Sequence, residues 1–83
     1  MVSGLAITLS PEPSLHDGAL RALARAPGMT LGPCAGARLA ATLETGTVAE
    51  AEARWDDILA VPGVVHLDLV CCLEDDILEG DAP

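Results

Sequence analysis

The chain contains no Tyr, no Phe and no Lys, and its one aromatic residue is Trp55. Aromatic side chains bury the most area per residue, so without them this 83-residue chain must build its core from Leu, Val, Ile and Ala. Without Lys, four Arg face thirteen Asp and Glu, for a formal net charge of −9. Such a chain repels phosphate backbones and anionic lipid, so no nucleic-acid partner and no membrane insertion are expected. No apolar run approaches the roughly 20 residues that span a bilayer. The apolar stretch at Met1–Leu9 has no basic segment before it and is broken by Thr8, Ser10 and Pro11. No export leader is read there, and a cytoplasmic location is expected. The three cysteines, Cys34, Cys71 and Cys72, are an odd number and make no disulfide framework, as suits a reducing compartment.

What is present is a chain that is 51% hydrophobic, enough for one small domain. Its acids are unevenly placed. Glu74, Asp75, Asp76, Glu79 and Asp81 crowd the last ten residues, whereas eight acids and four Arg share the rest. Residues 1–73 are therefore read as the folded domain and 74–83 as an acidic, flexible tail.

Periodicity organises the domain. Leu5, Ile7 and Leu9 alternate with Gly4, Ala6 and Thr8, the period of a half-buried strand. Ser14, with Asp17 three residues on, is expected to cap a helix over about Leu15–Ala26 whose apolar stripe is Ala19, Leu20 and Leu23. Pro27-Gly28 stops it. Met29–Leu31 reads as a short strand, Gly32–Gly36 as a turn, and Ala37–Glu44 as a strand with Leu39, Ala41 and Leu43 on one side. Thr47 and Glu50 form a capping box for a second helix with the stripe Val48, Ala51, Trp55, Ile58 and Leu59, ended by Pro62-Gly63. In the last strand, Val64–Leu73, alternation puts Val65, Leu67, Leu69, Cys71 and Leu73 toward the core and His66, Asp68, Val70 and Cys72 on the other face.

The order βαβ-βαβ, with a Pro-Gly stop after each helix, predicts an α+β fold. It is the ferredoxin-like split βαβ, a four-stranded antiparallel sheet in order 4-1-3-2 with both helices on one face. The other face is bare. Small residues, Gly4, Ala6, Thr8, Ala40 and Thr42, line its middle as a shallow trough. Arg38, Glu44, His66, Asp68, Val70 and Cys72 stand at the margins. These eleven residues are the candidate peptide-binding surface, suited to an amphipathic helix whose basic residues meet Asp68, Glu44 and the acidic tail.

Catalytic and cofactor chemistry finds no support. His66 and Asp68 share a strand face without a Ser or Cys placed to complete a nucleophilic set. Adjacent Cys71 and Cys72 point to opposite faces of a strand, which disfavours a shared metal. Cys71 reads as a small core residue and Cys72 as a partly exposed thiol. No Gly-rich loop has the spacing of a nucleotide site, and the sheet has no aromatics on which RNA bases would stack. No catalytic residue, metal or cofactor is expected, and the chain is read as a non-enzyme.

With these elements in place, the chain resembles the NapD family of small cytoplasmic chaperones. The resemblance covers about residues 2–73. It rests on Val2-Ser3-Gly4-Leu5 in the first strand, Pro27-Gly28 after the first helix, Leu43-Glu44 closing the third strand, and Pro62-Gly63-Val64 leading into Leu67-Asp68-Leu69-Val70 before an acidic tail. It implies binding of the twin-arginine signal peptide of a molybdenum-containing nitrate reductase catalytic subunit. Export of that subunit, a periplasmic enzyme, would be held back until cofactor insertion and folding are complete. The family pattern often has Ser where Gly4 stands and commonly Tyr-His where Cys71-Cys72 stand. The alternative from another class is an ACT-like regulatory domain, which shares the fold and binds a small molecule.

Overall fold

The computed structural model describes residues 1–73. Its elements are β1 (Val2–Leu9), α1 (Pro13–Ala24), β2 (Met29–Ala35), β3 (Arg38–Glu44), α2 (Val48–Leu59) and β4 (Val64–Leu73). The strands form one antiparallel sheet in the order β2-β3-β1-β4. This is the expected ferredoxin-like order read from the opposite edge. The proposed acidic tail lies outside the described residues.

The core follows the strand period. Leu5, Ile7 and Leu9 of β1 and Leu39, Ala41 and Leu43 of β3 are buried and pack with Ala19 and Leu23 of α1 and Ile58 of α2. Trp55 packs partly buried against this aliphatic cluster. Its indole Nε1 is buried with no hydrogen-bond partner among the described residues, as is the hydroxyl of fully buried Ser3.

The second helix starts as expected. Thr47 Oγ1 accepts from the Glu50 amide at 3.1 Å, and the Glu50 carboxylate accepts from the Gly46 amide at 2.9 Å. Its buried stripe is narrower than expected: Ala51 and Ile58 are buried, while Val48 and Leu59, at its two ends, are exposed. The first helix starts earlier than expected. Pro13 occupies its first turn, where a missing N–H costs nothing, and Glu12 is the N-cap without a side-chain bond. Ser14 therefore falls inside the helix, and its hydroxyl donates to the Glu12 carboxylate at 3.2 Å.

The expected turn at Gly32–Gly36 is mostly strand. Pairing jumps from Leu31↔Ala41 to Cys34↔Leu39, so Gly32 and Pro33 together oppose Ala40 as a bulge on the sheet's edge. Proline is tolerated there because an edge strand has no ladder bond to lose on its outer side. The chain reverses at Gly36, whose φ is 60°.

The two Pro-Gly stops are structural equivalents. Gly28 and Gly63 have φ of 75° and 97°. The Gly28 carbonyl accepts from the Glu44 amide at 2.9 Å, and the Gly63 carbonyl accepts from the Ser10 amide at 2.7 Å. Each turn is thereby tied to the end of the central strand in its own half of the sheet. A Cβ at Gly28 would run into the Glu44 carbonyl, and one at Gly63 into the Leu15 carbonyl, whereas Gly36 has open space around it.

Gly28→Ala and Gly63→Ala should each lower unfolding free energy in urea by about 1–3 kcal/mol from backbone strain, with the backbone clash adding to it. Gly36→Ala should lose only about 1–2 kcal/mol. Equal losses at all three sites would show that the close approaches contribute nothing. Ser3→Ala removes an unpartnered buried hydroxyl and should leave stability unchanged or raise it by up to about 1 kcal/mol. A clear loss in the same titration would mean the hydroxyl has a partner.

Candidate functional site: the open sheet face

The face turned away from the helices is built by the even residues of β1 and β3. Register sets Gly4 beside Thr42, Ala6 beside Ala40, Thr8 beside Arg38 and Val2 beside Glu44. Arg38, Ala40, Thr42 and Glu44 are all exposed, and Gly4, Ala6 and Thr8 are half-buried. The small residues thus sit together down the middle of the sheet, and the two charges of β3 mark opposite ends.

The contribution of β4 differs from simple alternation. Its pairing with β1 shifts twice, between Leu9↔Val64 and Thr8↔His66, and between Leu5↔Leu69 and Gly4↔Cys71. Val65 and Val70 are the extra residues at these bulges and are 62% and 68% exposed. A bulge of this kind moves the residue that follows it to the other face relative to a regular strand. Cys71, expected in the core, is exposed and takes the place beside Gly4. Position 72, expected on the open face, pairs instead with Ser3 of the buried row. Val65, expected in the core, is exposed at the first bulge. His66 and Asp68 lie on the open face as expected, opposite Thr8 and Ala6.

These placements fill parts of the expected trough. A Cβ built on Gly4 would lie 2.6 Å from the Cys71 sulfur, so the thiol occupies the space that glycine leaves. Gly4 and Cys71 are therefore cross-strand neighbours. At the other end, Arg38 reaches from β3 across β1 to Asp68 of β4. Its Nη2 lies 3.8 Å from Asp68 Oδ2, and His66 Nε2 lies 2.9 Å from Asp68 Oδ1. Only Ala6 and Thr8 intervene, and side chains this short let the longer ones meet above them. The arginine and aspartate side chains are 65% and 50% exposed, so the bridge contributes tenths of a kcal/mol at most and serves mainly to place charge.

A depression remains on the β2 side, lined by Thr30, Gly32, Pro33, Ala40 and Thr42. Thr30, Gly32 and Pro33 were not among the expected site residues, because that segment reads as the end of a short strand followed by a turn. A Pro within an apolar stretch is a signal for a bulged edge strand as well as for a turn. Cys34 lies away from this surface, opposite buried Leu39, with its sulfur 3.9 Å from His16 Nε2 of α1. Among the described residues no three His, Cys, Asp or Glu side chains converge as a metal site, and no helix is long and apolar enough to cross a membrane.

Packing of Cys71 against Gly4 predicts energetic coupling. Gly4→Ala should destabilise the domain by about 1–3 kcal/mol through overpacking. In a Cys71→Ala background the same change should cost at least about 0.5 kcal/mol less. Identical costs in the two backgrounds, measured by urea unfolding, would show that the thiol does not fill this space.

No protein-family model matches the chain, and no curated protein matches it. Among solved structures, it is similar to the solution structure of the E. coli Tat proofreading chaperone protein NapD, with a TM-score of 0.74 and 18% sequence identity. The likeness covers 92% of this chain and 80% of that one. At this identity what is shared is the fold: this chain has the ferredoxin-like α+β architecture of that chaperone.

Proposed function

We propose that this chain is a peptide-binding chaperone of the NapD type. Its ligand is the twin-arginine signal peptide of the catalytic subunit of a molybdenum-containing nitrate reductase. Binding would hold back export of that subunit until cofactor insertion and folding are complete. The observation that carries the reading is an uncovered sheet face with small residues at its centre, on a fold shared with a known proofreading chaperone. The net charge of −9 supports a cationic ligand.

The mechanism is sequestration. Ala40, Thr42 and the Thr30–Pro33 depression allow a helix to approach the sheet closely and its apolar side to lose water there, while Gly4 lies under the Cys71 thiol and Ala6 and Thr8 under the Arg38–Asp68 bridge. Arg38, Glu44, His66, Asp68 and Val70 border that contact. Cys71, which pairs with Gly4, joins that border. Ordering the peptide as a helix costs on the order of 2–5 kcal/mol, which apolar burial and charge attraction must exceed. Held against the sheet, the peptide is withdrawn from the export machinery without any covalent step, which accords with a non-enzymatic cytoplasmic role.

Calorimetry with a twin-arginine signal peptide should show 1:1 binding that weakens on raising salt and on replacing the arginine pair by lysines. Ala6→Glu and Ala40→Glu should each weaken binding by at least about tenfold, the cost of burying an uncompensated carboxylate, with unchanged circular dichroism. Absence of binding at micromolar protein would refute the proposal. A stable dimer that binds a free amino acid would replace it with an ACT-like role.

A further inference from the structure

The sheet has two edges, and they are not equally protected. An edge strand offers a row of backbone N–H and C=O groups to any strand that lies beside it, and proteins blunt such edges with Pro, Lys, bulges or a covering element. β2 is blunted by Pro33, which has no N–H to donate, within the Gly32–Pro33 bulge. β4 lies at the other edge, and among the described residues it pairs with β1 alone. It is the longest strand, and its ten residues, Val64–Leu73, include no Pro, Gly, Lys or Arg. Its two bulges stand at Val65 and Val70, which leaves His66–Leu69 regular between them. Leu69 pairs with buried Leu5 yet is 48% exposed, so the helix layer leaves it uncovered, and Val65 and Val70 are exposed beside it.

We propose that β4 is a self-pairing edge, to which a second copy of this chain adds its own β4 antiparallel, giving a two-fold dimer with one continuous sheet. Two-fold symmetry sets positions equally far before and after a central residue against each other. Centring on Asp68 places the two Asp68 carboxylates directly opposite, where like charges repel. Centring on Leu67 instead places each His66 opposite the partner's Asp68, and each Val65 opposite the partner's Leu69. His66 and Asp68 already bond within one copy at 2.9 Å, so the two side chains suit each other on this face. The axis of such a dimer is perpendicular to the sheet, so both open faces lie on the same side and stay uncovered. The proposal therefore stands independently of the peptide-binding reading. Each copy brings a formal charge of −9, and the paired stretch is short beside a standard interface. The dimer is accordingly weak, and it strengthens as salt screens the repulsion, the opposite of the salt dependence of a cationic ligand.

Sedimentation of the full chain under reducing conditions, from micromolar to millimolar protein, should show a monomer–dimer equilibrium. Its association constant should rise at least about threefold from low to high salt. Over the same series the amide NMR signals of Val65–Leu69 should move while those of Met29–Ala35 stay in place. Val65→Lys and Leu69→Lys, both at exposed positions, should each weaken association at least about tenfold with unchanged circular dichroism. His66→Asp, which sets a carboxylate against the partner's Asp68, should weaken it as much, and adding Asp68→His should restore it. A chain that stays monomeric at millimolar concentration in high salt would overturn the proposal. So would shifts confined to β2 or the helices, association that survives both lysine variants, or a double variant no stronger than His66→Asp.

Discussion

Everything on the sheet is registered to β1. It pairs with β3 on one side and β4 on the other, and its residues divide into a buried row, Ser3, Leu5, Ile7 and Leu9, and an open row, Gly4, Ala6 and Thr8. The buried row needs both helices above it, since without Phe or Tyr no few side chains can close the core. The open row needs only to be small. That one asymmetry separates a face that holds the domain together from a face left uncovered.

The same strand explains why the two ends of the open face differ. Over Ala6 and Thr8 the neighbours on β3 and β4 meet as a charge bridge, and over Gly4 a thiol settles into the missing Cβ. A larger residue at either place would hold the flanking strands' side chains apart. The surface is thus less a continuous trough than a bridged strip beside an open hollow at Thr30, Gly32, Pro33, Ala40 and Thr42.

How far this was legible depends on how each segment encodes its faces. In β1 and β3 strict alternation of aliphatic with small or polar residues leaves one register that buries the aliphatics, and the observed burial follows it. Thr47 and Glu50 likewise mark the start of α2 with a local hydrogen-bond pattern. In β4, Leu69-Val70-Cys71-Cys72-Leu73 is apolar throughout, so no hydrophobic cost distinguishes one face assignment from the other. Two bulges then decide it, and bulges leave no periodic mark. Gly4 was the available clue, since a glycine in a strand interior often signals close approach by a neighbour. Val48 and Leu59 failed as stripe residues for a simpler reason: they are the first and last residues of α2, and the core ends between them.

The charges also divide by range. The open face itself carries nearly balanced charge, with Arg38 against Asp68 and Glu44, while Glu50, Glu52, Asp56 and Asp57 belong to α2 on the other side of the sheet. The four carboxylates of α2 therefore cannot contact a ligand on the open face. They act through the long-range field, which speeds encounter with any cation and weakens beyond a Debye length of about 8 Å at physiological salt. For the ligand proposed above, discrimination between one cationic peptide and another must come from the short-range pattern: where Glu44 stands, what Asp68 already holds, and how closely a helix can approach Ala40. On the proposed reading, acidity selects the class of partner, and the pattern of small and bridged positions on the open face selects the pose.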